Sequence, residues 1–276
     1  MDFNQLTQIA IKAAISAGKI IEKYKEKKIS VEQKNGGTNY ASQIVTVVDR
    51  ECEKEILKFL LPTCKEFDLA ILTEETEDNG SRFKKDFFWC VDPLDGTLAY
   101  VNNSVGYSVS IALVSRTGIP YIGVVYDPVT KNLYHANKGN GAFKNGEPWI
   151  LKNKNNYVTY VTDKPLEKTP NATKIKSLLK QQANTLNLKY IKEISGGGAV
   201  LNAIKVAENG PACMIKLPKK EKGGGSIWDF AATTCIFNEL GLNATDFYGG
   251  HLDLNKSENT FMNHKGVYYR NYPVNY

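Results

Sequence analysis

The chain has 276 residues, 42% of them hydrophobic, and carries a net charge of +6 from 35 basic and 29 acidic residues. That length and apolar content suffice for a large core, in one domain or two fused lobes, and exclude wholesale disorder. The five cysteines, Cys52, Cys64, Cys90, Cys213 and Cys235, form neither CxxC pairs nor His-linked zinc spacings, which points to free thiols in a reducing cytoplasm.

From Phe3 to Tyr24, Leu6, Ile9, Ala10, Ala13, Ala17, Ile20 and Ile21 recur at helical spacing and predict an amphipathic helix. This start lacks the basic-then-apolar pattern of a leader, and no later segment nears the ~20 apolar residues of a membrane span. A cytoplasmic protein without membrane contact is expected. Loop residues Gly36 and Gly37 precede a second helix over about 48–61, closed by Pro62. Apolar runs at 69–72, 87–91, 107–114 and 122–126 read as strands. Residues 116–120 link the last two as a hairpin, so part of the sheet is antiparallel. Asn145-Gly146 marks another turn. The lysine- and asparagine-rich stretch 151–156 suggests a boundary between two halves, 1–150 and 151–276, that form one catalytic unit. Helices follow at 172–184, Ala199–Glu208 and 228–240, the last capped by Gly241, with a polar, glycine-rich loop at 218–225. Without internal repeats, the expected fold is α/β (α+β), a layered sandwich of alternating helices and sheets.

The most informative stretch is Trp89-Cys90-Val91-Asp92-Pro93-Leu94-Asp95-Gly96-Thr97. An apolar strand runs into two acids, and proline is expected to stop it so that both carboxylates emerge toward a hard cation. Gly96 allows close backbone approach. A helix starting near Thr97 would offer N–H groups to a phosphate, with the hydroxyl in reach of a water. Asp92 and Asp95 also suit a turn and a helix cap, roles common for aspartate. Glu74-Glu75 ends another strand, where one glutamate can reach the same metal and the other orient it, although such pairs are often solvated surface. Asp49, on its own, reads as an acid complementing a helix dipole. Asp229, in Trp228-Asp229-Phe230-Ala231-Ala232, allows that reading too, but its bulky and small neighbours would fix the carboxylate's direction.

In this order the motifs resemble the inositol monophosphatase superfamily, which includes 3′(2′),5′-bisphosphate nucleotidases and fructose-1,6-bisphosphatases. The resemblance covers essentially the whole chain. It implies a magnesium-dependent phosphomonoesterase with two or three Mg²⁺ ions held by Glu74, Asp92, the Leu94 carbonyl, Asp95 and Asp229. Gly96 and Thr97 would contact phosphate and Glu75 would support the metal ligands. Asp49 would pair with Thr97 or hold water, which replaces its bland reading. Glu74 and Thr97 would orient the attacking water. A homodimer is compatible with the family.

The implied substrate is a small phosphorylated metabolite, either an inositol monophosphate or a bisphosphate nucleotide such as 3′-phosphoadenosine 5′-phosphate. Gly197 and Gly198, in Ser195-Gly196-Gly197-Gly198-Ala199, resemble the substrate-side loop, and Asp95 and Asp229 would also face substrate. Leu98-Ala99-Tyr100 matches neither subgroup. Where inositol monophosphatases carry an acid, the chain has Lys216 in a lysine-rich run to Lys222, which tilts the reading toward a doubly phosphorylated ligand. The lysines as a whole are spread along the sequence, so nucleic acid is not expected as a partner. The alternative function is a non-catalytic member that binds a phosphorylated metabolite or another protein.

Overall fold

The computed structural model describes residues 1–25, 31–33, 44–151 and 155–272. Gly36, Gly37 and residues 152–154 of the expected boundary lie outside the described residues. Helix α1 (Phe3–Tyr24) starts where the Asp2 carboxylate accepts the N–H groups of Asn4 and Gln5. Its buried stripe, Leu6, Ala10, Ala13, Ala17 and Ile21, packs with Cys52, Ile56 and Leu60 of α2 (Val47–Phe67). Short strands β1 (Val31–Gln33) and β2 (Ile44–Thr46) pair antiparallel just before α2.

Helix α2 does not end at Pro62 as expected, but passes through it to Phe67. Buried Thr63 anchors the continuation, donating to the Leu60 carbonyl at 2.7 Å and accepting the Trp89 indole N–H at 2.9 Å. These bonds and the packing around them offset the backbone bond that proline cannot make.

Seven strands follow in one sheet: β3 (Ala70–Thr73), β4 (Phe87–Asp95), β5 (Ser108–Ser115), β6 (Pro120–Asp127), β7 (Asn132–Asn137), β8 (Ala142–Lys144) and β9 (Glu147–Pro148). Their spatial order is their chain order. Only β3 and β4 run parallel, and the other neighbours are antiparallel. The short helix α3 (Thr97–Val101) lies between β4 and β5. The second sheet has the order β11-β10-β12-β14-β13, built from β10 (Val158–Thr162), β11 (Ile191–Ser195), β12 (Ala212–Lys216), β13 (Asn243–Thr245) and β14 (Val267–Arg270). Helices α4 (Ala172–Thr185), α5 (Ala199–Glu208) and α6 (Ile227–Glu239), with short 3-10 helices at Ser81–Phe83 and Leu166–Lys168, complete the described elements.

Three hydrophobic clusters define the layers. One joins α1 and α2 to Trp89, Val91, Ile111, Leu113 and Val124 on one face of the large sheet. A second joins the opposite face, through Phe88, Cys90, Ala112 and Val125, to α5, α6 and the second sheet. The third packs α4 beneath the second sheet through Ile175, Leu179, Tyr160 and Ile215. The result is a mixed α/β sandwich in which helices and sheets alternate. Both faces of the large sheet are covered, so residues 87–91 of β4 and 111–114 of β5 read as continuous apolar runs.

Strand β4 also continues past its proline. Asp92 pairs with Ser110 and Asp95 with Ser108, so Pro93 and Leu94 form a bulge. Pairing with β3 stops at Val91. Beyond it one side of β4 is an edge, where a missing N–H is tolerated. Side-chain alternation then decides where Asp92 points. Phe88 and Cys90 face α5 and α6, and Asp92 shares their face.

Candidate active site

That face brings Asp92 to the start of α6, which carries Asp229. The Ser110 hydroxyl fastens the two elements by donating to the Trp228 carbonyl at 3.2 Å. Asp229 is the third residue of α6, and its Oδ2 accepts the Ser226 backbone N–H in a capping box, which fixes the carboxylate's direction. Asp95, past the bulge, reaches the first turn of α5, where its oxygens accept the N–H groups of Ala199 and Val200, each at 3.0 Å. One oxygen each from Asp92, Asp95 and Asp229 lies within 4.8 Å of the others.

Glu74 follows β3 directly. Its N–H donates to the Val91 carbonyl at 3.1 Å, setting it beside Asp92. The turn is braced from below by Glu53 of α2, whose Oε1 accepts the hydroxyls of Thr73 and Thr76. Sequence reasoning missed Glu53, although it stands one helical turn after Asp49 and so shares its face.

A cleft of about 800 Å³ contains Glu74, Asp92, Leu94, Asp95, Gly96, Thr97, Gly197, Gly198, Lys216 and Asp229 in its lining. Asp49 and Glu75 do not line it. Buried Asp49 meets it through Thr97, whose Oγ1 lies 3.4 Å from Asp49 Oδ1 and 3.1 Å from the Leu94 carbonyl. The Thr97 hydroxyl has one proton for these two acceptors.

Close approach explains the glycines. A Cβ on Gly198 would stand 2.5 Å from Asp95 Oδ1 and closer still to Oδ2. A Cβ on Gly96, whose φ is +83°, would meet the Gly106 carbonyl at 2.6 Å. That carbonyl accepts the Gly198 N–H at 2.7 Å and so ties the loop before β5 to the α5 entrance. Gly106 was not singled out from the sequence because an isolated glycine before a strand carries no pattern.

The carboxylates are held in an environment hostile to uncompensated charge. Burial, then Glu74, Asp95 and Asp229, push the Asp92 carboxyl well above the usual range. Burial and Asp229 push Asp95 up against the lowering effect of its two N–H bonds. Asp229 rises to about 6 through burial and Glu74, opposed by the Ser226 N–H and Lys216. Asp92 Oδ2 is buried with no hydrogen-bond donor. A hard divalent cation fits this set, since it would satisfy the orphaned oxygen and neutralise acids that otherwise repel. The buried thiol of Cys90 is pushed well above its ordinary value by burial, and burial pushes Cys213 up to about 12, so neither offers a thiolate.

The chain matches the Inositol monophosphatase family over residues 2–272. It belongs to that family. It is 32% identical over 254 residues to the Escherichia coli K12 protein named Nus factor SuhB, covering 89% of this chain and 86% of that protein. An inositol-1-monophosphatase of Synechocystis is 30% identical over 256 residues, with 92% and 83% covered. The crystal structure of the extragenic suppressor protein suhB from Bartonella henselae superposes with a TM-score of 0.70 at 25% identity, covering 97% of this chain and 94% of that one.

These relatives correct one expectation. A protein named as a Nus factor is assigned to transcription by that name, so the exclusion of nucleic acid from the partners is overturned. The exclusion rested on lysines dispersed along the sequence, which says nothing about their gathering on a folded surface. Lys164 is far in the chain from the run that holds Lys216 and Lys222, yet all three line one cleft. Among the described residues no helix is long and apolar enough to cross a membrane.

Proposed function

We propose that this family member is a magnesium-dependent phosphomonoesterase acting on a small phosphorylated metabolite. The observation that carries the reading is the cluster of Asp92, Asp95 and Asp229, one oxygen from each lying within 4.8 Å of the others, in which Asp92 Oδ2 is buried without a hydrogen-bond partner. Asp92, Asp95, Asp229 and Glu74 would hold the cations, two or three in number, with the Leu94 carbonyl as a further oxygen ligand. Bound Mg²⁺ would supply Lewis-acid stabilisation of phosphate charge, a more acidic water and a stabilised leaving oxygen.

The chain's own residues would do the rest. When the Thr97 hydroxyl donates to Asp49, its lone pairs are left to accept a hydrogen bond from the attacking water and so orient it, and Glu74 would take the proton that the water loses. Gly96 and Thr97, at the entrance to α3, would hold the phosphate. Gly197 and Gly198 let the leaving group approach the backbone, because no side chain intervenes. Glu75, outside the cleft lining, would support Glu74. The hydrolysis breaks the P–O bond to the alcohol and forms one to water, so no covalent enzyme intermediate is required.

The relatives' Nus factor name favours a second reading, in which the fold serves a transcription complex. The two readings separate on phosphate release from inositol 1-phosphate, 3′-phosphoadenosine 5′-phosphate and fructose 1,6-bisphosphate, with Mg²⁺ or EDTA. EDTA-sensitive release from any of them supports the phosphatase. Absence of release from the whole panel favours the second reading.

A further inference from the structure

The stretch from Lys168 to Lys192 holds six lysines, Lys168, Lys174, Lys176, Lys180, Lys189 and Lys192, and no acid. That excess equals the whole chain's net charge of +6, so the remaining residues balance to zero. All six are exposed, and none forms an ion pair among the described residues. Most of the stretch is α4, which packs over β10 and β11, and none of the six lysines lines the carboxylate cleft. Ile175, Leu179 and Ala183 bury one face of the helix, which leaves Lys176 and Lys180 one turn apart on a flank. Lys174 leans the opposite way, its Nζ 5.5 Å from the centre of the Phe247 ring beyond β13. β13 and β11 are opposite ends of the sheet, so the flank of Lys176 and Lys180 faces the β11 edge, where the chain returns through Lys189, Tyr190 and Lys192. Lysines on an edge strand deter pairing with another chain, which accounts for Lys189 and Lys192 but not for the three on the helix. Aromatic rings flank the strip: Tyr190 is 69% exposed, and Tyr248, edge-on to Phe247, is 74% exposed.

We propose that this strip is a docking surface for single-stranded nucleic acid, whose phosphates follow the lysines of α4 and the β11 edge and whose unpaired bases stack on Tyr190 and Tyr248. The chemistry of the strip selects that partner. Helical rise sets Lys176 and Lys180 about 6 Å apart along the axis, a spacing that successive phosphates of an extended strand can meet. Between the lysines the exposed residues of α4 are Thr173, Ser177, Gln181 and Asn184. An acidic protein would need an apolar centre to the interface, and a lipid surface would need apolar side chains to insert, whereas Ile175, Leu179 and Leu186 turn in toward the sheet. Bases paired in a duplex cannot reach exposed rings, but unpaired bases stack on them with little regard for sequence. Uncompensated lysines interleaved with such rings are the footprint of a single strand. The proposal stands apart from the phosphatase reading, because neither the lysines nor the two tyrosines line the carboxylate cleft.

Fluorescence anisotropy of the full chain with a labelled, unstructured RNA of about 20 nucleotides tests this. At about 50 mM salt the wild type should bind with a Kd of about 10 μM or tighter. The triple variant Lys176→Gln, Lys180→Gln, Lys189→Gln should bind about tenfold or more weakly, and its slope of log K against log salt should be shallower by about 2, the loss of three phosphate contacts. A control triple, Lys12→Gln, Lys19→Gln, Lys54→Gln, removes the same charge from exposed positions on α1 and α2 and should keep affinity and slope close to wild type. Tyr190→Ala should weaken binding to the single strand about fivefold or more while hardly changing binding to a duplex of the same sequence. Circular dichroism on each variant separates these losses from unfolding. Failure of the wild type to bind the RNA, with or without binding to phosphatidylglycerol vesicles, overturns the proposal. So do equal losses in the two triple variants, or a duplex bound more tightly than the single strand. If the wild type releases phosphate, the first triple variant should release it at the same rate, so failure of one reading leaves the other standing.

Discussion

Replacing Gly198 with alanine tests how tightly the α5 entrance holds Asp95. The new Cβ would stand 2.5 Å from Asp95 Oδ1 and nearer to the other carboxylate oxygen. An ordinary contact requires roughly 3.4 Å, so the carboxylate or the loop must move by about 1 Å. A shift of that size at a reacting centre costs about 10²-fold in rate. Overpacking adds about 1–3 kcal/mol of destabilisation, equivalent to a Tm loss of several degrees in a chain of this size. Phosphate release and thermal melting should be read on the same preparation, with Gly139→Ala as the control. Gly139 has φ +85°, and a Cβ there would meet nothing within 4 Å, so alanine strains the backbone far from the carboxylates. The expected result is loss of turnover in Gly198→Ala alone. Wild-type kcat in Gly198→Ala would refute the argument that Gly198 exists to seat Asp95.

Other consequences follow from the charges and the bracing. In EDTA the protein should gain stability as pH falls from 7.5 toward 5. The folded Asp229 pKa of about 6 exceeds the ordinary 3.8, so the folded state binds more protons in that window and stability drops as pH rises through it. The shift corresponds to about 3 kcal/mol at most for this one group. Mg²⁺ should therefore raise Tm more at pH 7.5 than at pH 5, and an equal gain at both would contradict the electrostatic account. Glu53→Gln removes the charged acceptor shared by Thr73 and Thr76 and should weaken apparent Mg²⁺ affinity about tenfold or more, measured by metal titration of activity and of Tm. Unchanged affinity would show that the brace does not matter. Thr63→Val should cost about 1 kcal/mol in a melting experiment by orphaning the Trp89 indole N–H, without altering the Mg²⁺ requirement.

Much of the architecture could be read from periodicity. Helix α5 begins and ends at the expected residues, and the β5–β6 hairpin forms around its predicted turn. The two proline readings failed for one physical reason. Pro62 and Pro93 were judged by local propensity, while tertiary contacts decide: Trp89 anchors the chain after Pro62, and the end of β3 leaves Pro93 at an edge. At the site, Glu74, Asp92 and Asp95 could be found because apolar runs ending in carboxylates are conspicuous, and Asp229 because a tryptophan and small residues flank it. The amides of Ala199 and Val200 that hold Asp95 could not be found, since a backbone donor has no sequence signature. The lysines misled because they were weighed over the whole chain, whereas the six from Lys168 to Lys192 come without an acid and gather along α4 and the β11 edge.

The central claim is that the carboxylate cluster performs metal-dependent phosphate ester hydrolysis. It is tested most directly by phosphate release from wild type, Asp92→Asn and Asp95→Asn side by side, at saturating Mg²⁺ and in EDTA, with circular dichroism on each protein. The account predicts EDTA-sensitive turnover in the wild type and nearly none in either variant, with all three folded. Near-wild-type rates in a folded variant at saturating Mg²⁺ would contradict it.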